Sequence, residues 1–229
     1  MANDQIFNKK SATKDELARK QGTRKRRSRV LISCEGEKTE PLYLKDLIND
    51  LRLTTVEICE HQGSAPISVV ESGIKAFDAD HDFDYVFFVF DRDRHSTYQD
   101  ALDKIDGFGK KKITKNKTVK AITSIPCFEI WFLLHLSYSA KPYAPAGNKS
   151  PCDCLISDLE RKQYFKGYEK GKKSYFSLLR EKLDTAKTNS KRLLKEGLKS
   201  SESRHSANPS TLMYELVDSL ERVAKEYNI

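Results

Sequence analysis

Asp84-Tyr85-Val86-Phe87-Phe88-Val89-Phe90-Asp91-Arg92-Asp93-Arg94 is the stretch whose reading decides the fold. Tyr85 to Phe90 is an unbroken run of β-branched and aromatic residues, the pattern of a strand buried on both faces in the middle of a parallel sheet. It ends in carboxylates. In an open α/β sheet, ligands bind outside the carboxyl ends of the strands, so Asp91 and Asp93 stand where chemistry is usually placed. Their i, i+2 spacing lets both reach one hard cation through oxygen ligands. The same residues also suit a plainer role, with Asp91 capping a turn and Asp93 pairing with Arg92 or Arg94. On this stretch alone both readings stand.

The pattern extends in both directions from this strand. Upstream, Val30 to Cys34 reads as a first strand, Glu35 to Pro41 as a polar turn, and Leu44, Leu47, Ile48 and Leu51 as one face of a helix. Thr54 to Cys59 reads as a second strand, and Ile67, Val70, Ile74 and Phe77 as the face of a helix starting near Pro66. Downstream, Tyr98, Ala101, Leu102 and Ile105 predict a helix, followed by a loop from Gly107 to Lys117 that carries Lys110, Lys111, Lys112, Lys115 and Lys117. Thr118 to Ile125 predicts a fourth strand. Pro126 to His135 predicts a helix apolar almost all round, hence deeply buried, and interrupted by Glu129. Glu129 either complements the helix dipole or points to the same rim as Asp91. Strands alternating with helices imply crossovers and an α/β fold with a parallel sheet.

From Tyr138 to Pro151 periodicity is lost and turn-forming residues dominate. Three segments follow: a basic arm over 1–29, an α/β core over 30–137, and a loop with a mainly helical C-terminal region over 138–229. Cys152-Asp153-Cys154 is spaced too closely for a zinc hairpin and lacks a second pair, so a plain loop is expected there. Tyr164 to Lys173 interleaves aromatics with lysines, which suits either a nucleic-acid strand or the snorkelling edge of a helix. Helices are expected over Phe176 to Leu183, around Leu193 to Leu198, and from Asn208-Pro209-Ser210-Thr211 onward.

Composition limits the function classes. The 229 residues are 32% charged and 38% hydrophobic, polar for a globular chain yet rich enough in aromatics to fold. No apolar run approaches the roughly 18 to 20 residues that span a bilayer, and the N-terminus is not a secretory signal, so a cytoplasmic protein with no membrane partner is expected. Five cysteines, mostly in apolar segments (Cys34, Cys59, Cys127), indicate no disulfide framework. The net charge of +8 is concentrated in the first 29 residues, which hold ten Lys and Arg against Asp4, Asp15 and Glu16. Arg24, Lys25, Arg26 and Arg27, with Lys110 to Lys112, are therefore candidates for phosphate-backbone binding. A solvated leader that aids solubility has the same composition.

The carboxylates form the sharpest signal. Glu35 and Glu40 follow the first predicted strand, Asp91 and Asp93 the third, and Glu129 the fourth. Such a cluster repels itself unless a cation neutralises it, which argues for Mg²⁺ or Mn²⁺. The strand followed by Glu35-Gly36, with Asp91-x-Asp93 after a later strand, resembles the Toprim domain of topoisomerases, primases and OLD-type nucleases. Cys34 to Pro41, Phe90-Asp91-Arg92-Asp93, Pro126 to His135 and Asn208 to Thr211 together resemble the RloB-like family, over most of the chain beyond the arm.

The resemblance implies a Toprim-like core and a metal-dependent nuclease of prokaryotic anti-phage defence, abortive infection included, encoded beside an ABC-type ATPase partner. It also implies Glu35 as metal ligand or general acid/base, Asp91 and Asp93 as metal ligands, and Glu40 and Glu129 as supports for a second ion or a water. A scaffold that senses nucleic acid or docks on an ATPase without cutting is the competing class, and the complete acidic set favours the enzyme. A primase-like nucleotidyl transferase stays open, although no phosphate-binding glycine motif is present. Neither DNA nor RNA is selected by anything in the composition.

Overall fold

The first strand, β1 (Val30–Cys34), and the third, β3 (Tyr85–Asp91), lie side by side in the centre of the molecule, in parallel register with Ile32 opposite Phe87. A computed structural model describes residues 26–35, 39–60, 65–92, 95–172 and 174–226. Between the two strands the chain forms α1 (Thr39–Asp50), β2 (Val56–Glu60) and α2 (Pro66–Ala79), and after them α3 (Tyr98–Gly109), β4 (Thr118–Ile125) and α4 (Glu129–Leu136). Then come α5 (Pro151–Glu160), α6 (Phe176–Leu179), α7 (Leu183–Gly197), β5 (Ser210–Thr211) and α8 (Met213–Lys225). The described strands form one five-stranded sheet in the order β2-β1-β3-β4-β5. All pairs are parallel except β4 with β5.

Alternation along the central strands explains the layering. Phe87 and Val89 of β3 face the same side as Ile32 and Cys34, where α1, α4, α5, α7 and α8 supply Tyr43, Trp131, Leu155, Leu193 and Leu216. Val86, Phe88 and Phe90 face the opposite side, against Val70 and Phe77 of α2 and Ile105 and Phe108 of α3. A strand covered on both faces must be apolar at every position, which is why Tyr85 to Phe90 shows no alternation. The α/β class with a parallel sheet and flanking helices holds.

Several local expectations are corrected. The loop expected from Gly107 is helical through Gly109, because the apolar face continues to the buried Phe108 and one glycine costs a helix only about 1 kcal/mol. Cys152 and Cys154 lie in the first turn of α5 and not in a loop, since Ser150 and Asp153 form a reciprocal capping box around Pro151. Ser210 and Thr211 form a fifth strand before α8 begins, held partly by a 3.0 Å bond between the Ser124 and Thr211 hydroxyls. In the Tyr164 to Lys173 stretch, a 3₁₀ turn carries Phe165 into the core, and Tyr168 is buried beyond it. Tyr164 alone of these aromatics is exposed, beneath the Lys182 ammonium. Cys127 and Cys152, 25 residues apart, are joined in a disulfide that no sequence spacing announced.

Candidate metal centre at the strand ends

The end of β3 builds the centre of the site. Asp91 is its last residue, opposite Ser124 of β4, and only 8% of it is exposed. Glu35 follows β1 directly. Its backbone N–H donates to Val89 O, continuing the ladder, and its Oε2 accepts from the Asp91 backbone N–H at 2.9 Å. His95 Nε2 lies 3.8 Å from the other oxygen of Glu35. Glu40 stands in the first turn of α1 and is half-buried. Glu129 opens α4 just past β4 and is 1% exposed.

Electrostatics shows that these four carboxyls share one site. Burial first, then the charges of Glu40, Glu35 and Glu129, hold the Asp91 carboxyl well above the usual carboxylate range. Desolvation, followed by the charges of Glu129 and Glu35, pushes Glu40 up to about 8. Lys170 opposes both shifts. Its own pKa is pulled down by desolvation, but Glu129, Asp91 and Glu40 outweigh that and raise it.

Glu129 is held by two donors from beyond the sheet core. Tyr168 donates its hydroxyl to Glu129 Oε1 at 2.8 Å, and Lys170 Nζ lies 3.4 Å from the same oxygen. Cys152 Sγ is 3.9 Å from Oε2. Desolvation of Tyr168, then the Glu129 charge, raises the phenol's pKa, so it remains a donor. The ligand atoms of Cys127, Glu129 and Cys152 lie within 4.8 Å of one another, but the two sulfurs are bonded and offer no thiolate to a soft metal. The remaining donors are carboxylate oxygens, which suit a hard divalent cation.

Of the residues singled out in the sequence, Glu35, Glu40, Asp91 and Glu129 come together. Asp93, Arg24 and Lys25 lie outside the described residues. Arg26 sits at the opposite end of the sheet, paired with Asp82 and Asp84 before β3. Exposed Arg27 follows it in the chain. Lys110, Lys111 and Lys112 are exposed after α3, on the approach to the start of β4, with Lys110 paired to Asp106 at 2.5 Å. These cations and the carboxylates therefore occupy opposite rims. Tyr168 and Lys170 belong to the aromatic and basic stretch that the sequence offers to a nucleic-acid strand, but nothing there links them or Cys152 to Glu129, which they reach from 39, 41 and 23 positions away through tertiary packing.

A cleft of about 910 Å³ lies beside this cluster, between α3, β4 and residues 202–206, and none of the four carboxylates lines it. Lys120 and Arg204 in its wall both pair with the one carboxylate of Glu215. His205 accepts or donates at 3.0 Å to Thr123 Oγ1, and desolvation lowers its pKa to about 4.

Comparison with known proteins now adds one decisive match. The family model of RloB-like proteins covers residues 30–220. The chain belongs to the RloB-like family. The match begins at β1 and ends within α8, so it takes in every element that contributes to the carboxylate site. No curated protein and no solved structure matches the chain. Among the described residues, no helix is long and apolar enough to cross a membrane.

Proposed function

We propose that this RloB-like protein is a metal-dependent nuclease that hydrolyses phosphodiester bonds in DNA or RNA with Mg²⁺ or Mn²⁺ at a Toprim-like site. The observation that carries this reading is the convergence of Glu35, Glu40, Asp91 and Glu129 from three strand ends, with the proton affinities of Asp91 and Glu40 raised by burial and then by the neighbouring carboxylates. Among the described residues Lys170 is the ammonium paired with this group of carboxylates, and a divalent cation would neutralise them further. Glu35 and Asp91 would hold the ion, with Asp93, two positions on in the sequence, as the further ligand that the family resemblance implies. Bound there, the ion polarises a phosphoryl oxygen and lowers the pKa of a coordinated water.

The chain's own groups divide the remaining work. The Asp91 N–H orients the Glu35 carboxylate. Tyr168 fixes Glu129, and Lys170 offsets its charge while staying half exposed, where its Nζ can meet a phosphate oxygen. Glu40, protonated to about pH 8 in the metal-free protein, is suited to hold a proton near the leaving oxygen. The basic arm and the family resemblance supply the wider setting: a polyanionic substrate, a cytoplasmic site of action, and anti-phage defence with an ABC-type ATPase partner.

The test is cleavage of end-labelled single-stranded DNA, duplex DNA and structured RNA by wild type, Glu35→Gln and Asp91→Asn. Cleavage by wild type that requires Mg²⁺ or Mn²⁺ and is lost in both variants supports the proposal. Cleavage that survives in both variants, or runs unchanged in EDTA, contradicts it.

A further inference from the structure

Cys127 and Cys152 connect the rim of the sheet to the segment that grips Glu129. Cys127 lies in the turn between β4 and α4, two residues before Glu129, and is 1% exposed. Cys152 is the second residue of α5 and is 6% exposed. Their sulfurs are bonded, with Cα atoms 5.7 Å apart. The chain between them passes through α4 and then an irregular stretch from Ser137 to Ser150 that contains only one isolated bridge, Ala146 to Lys149. From Cys152 the chain leads through α5 and a 3₁₀ turn to Tyr168 and Lys170. The same ten-residue helix thus begins at the disulfide and delivers both groups that contact Glu129 Oε1.

We infer that Cys127 and Cys152 form a redox-modification site, and that their disulfide clamps the Tyr168–Lys170 segment onto Glu129. Reduction by a dithiol breaks the S–S bond, gives two thiols, and leaves the dithiol as its own disulfide. Two electrons enter the bond and each sulfur gains a proton. Reoxidation by a small-molecule disulfide reverses this by thiol exchange. In a reducing compartment such bonds are transient and sense redox state, whereas in an oxidising one they persist.

With the bond open, α5 loses its covalent tie to the turn before α4. The Tyr168 hydroxyl and the Lys170 ammonium then keep their positions less firmly, and Glu129 loses part of the frame that fixes it. The clamp itself stands on the geometry alone. Its effect on metal affinity rests on the nuclease reading above.

The test uses the full chain, oxidised with glutathione disulfide or reduced with a phosphine, which does not compete for metal. Non-reducing peptide mass spectrometry identifies the bond, hydrogen exchange follows the amides of residues 163–170, and electron paramagnetic resonance measures Mn²⁺ binding. The expected result is a Cys127–Cys152 cross-linked peptide in the oxidised protein, exchange about tenfold faster after reduction, and Mn²⁺ affinity about tenfold lower. Cys152→Ser should match the reduced protein and ignore oxidant. Cys154→Ser, which alters a cysteine outside the bond, should retain the wild-type response. Absence of the cross-linked peptide, or equal exchange in the two wild-type states, overturns the inference whether or not Cys152→Ser folds. Failure of both states to bind Mn²⁺ overturns the metal reading instead, and the exchange difference still decides the clamp.

Discussion

The Tyr168 hydroxyl donates a 2.8 Å hydrogen bond to Glu129 Oε1, so a residue 39 positions downstream sets the orientation of a carboxylate at the end of β4. Glu129 is 1% exposed, and a buried carboxylate that loses a donor bears the cost of its desolvation. Tyr168→Phe should therefore lower stability by about 1–3 kcal/mol. Glu129→Gln keeps the shape and should leave the fold intact, but we expect it to reduce cleavage by roughly 10²-fold at saturating Mn²⁺. Turnover of Glu129→Gln within a few-fold of wild type would remove this residue from the site.

Acidic crowding gives the metal-free protein a pH dependence of definite sign. Glu40 titrates near 8 when folded and near 4.5 when unfolded, so between those values the folded state binds more protons. Its contribution to stability is full below about pH 4.5 and is lost as pH rises towards 8. Asp91 acts in the same direction. In EDTA, the Tm should fall across this window, and Glu40→Gln should flatten the fall. Saturating Mn²⁺ should remove most of it. A metal-free Tm that climbs steadily from pH 5 to 8 would contradict the assignment.

From Arg26 onward the basic segment is paired with carboxylates of the core. Arg29 pairs with Asp80 at 2.7 Å and with Glu57 at 2.5 Å, and its guanidinium lies 4.5 Å above the Phe83 ring. Ser28 is bonded to Glu226 at 2.9 and 3.0 Å. We expect deletion of residues 1–25 to leave the Tm unchanged while weakening nucleic-acid binding and flattening its salt dependence. Arg29→Ala should instead cost about 1 kcal/mol, through loss of partly exposed ion pairs and the ring contact. A salt slope that is the same with and without residues 1–25 would show that the arm does not touch the phosphate backbone.

Gly73 reports how closely α2 approaches the sheet. A Cβ placed there would lie 2.6 Å from Cε1 of Phe88 and 2.7 Å from the Cβ of Ser33, both buried in the central strands. Gly73→Ala should destabilise the protein by about 1–3 kcal/mol through overpacking, despite alanine's better helix propensity. A stability equal to or above wild type in urea unfolding would mean that α2 can lift away from β1 and β3.

How much of this was legible in the sequence follows from the range of the forces involved. The apolar run Tyr85 to Phe90 reveals burial on both faces, and Leu44, Leu47 and Ile48 reveal a helix, because these patterns repeat within a few residues. The strand-end rule then brings Glu35, Asp91 and Glu129 to one rim without any knowledge of packing. The two-residue strand at Ser210 was illegible, since two residues carry no period and its partner Ser124 is 87 positions away from Thr211. The same holds for the contacts of Tyr168 and Lys170 with Glu129 and for the Cys127–Cys152 bond. Their roles arise from long-range packing around an irregular segment, which local periodicity does not encode. Arg26 and the lysines after α3 show the converse, for a charge cluster in sequence gives composition but not the rim on which it lies.

The most direct measurement is the anomalous scattering of crystals soaked in Mn²⁺, recorded near the manganese edge for wild type and Asp91→Asn. We expect a wild-type peak between the carboxylates of Glu35 and Asp91, and its loss in Asp91→Asn with the fold unchanged. A saturating soak that leaves this rim without anomalous density, or a peak that persists undiminished in Asp91→Asn, would contradict a metal centre at the ends of β1 and β3.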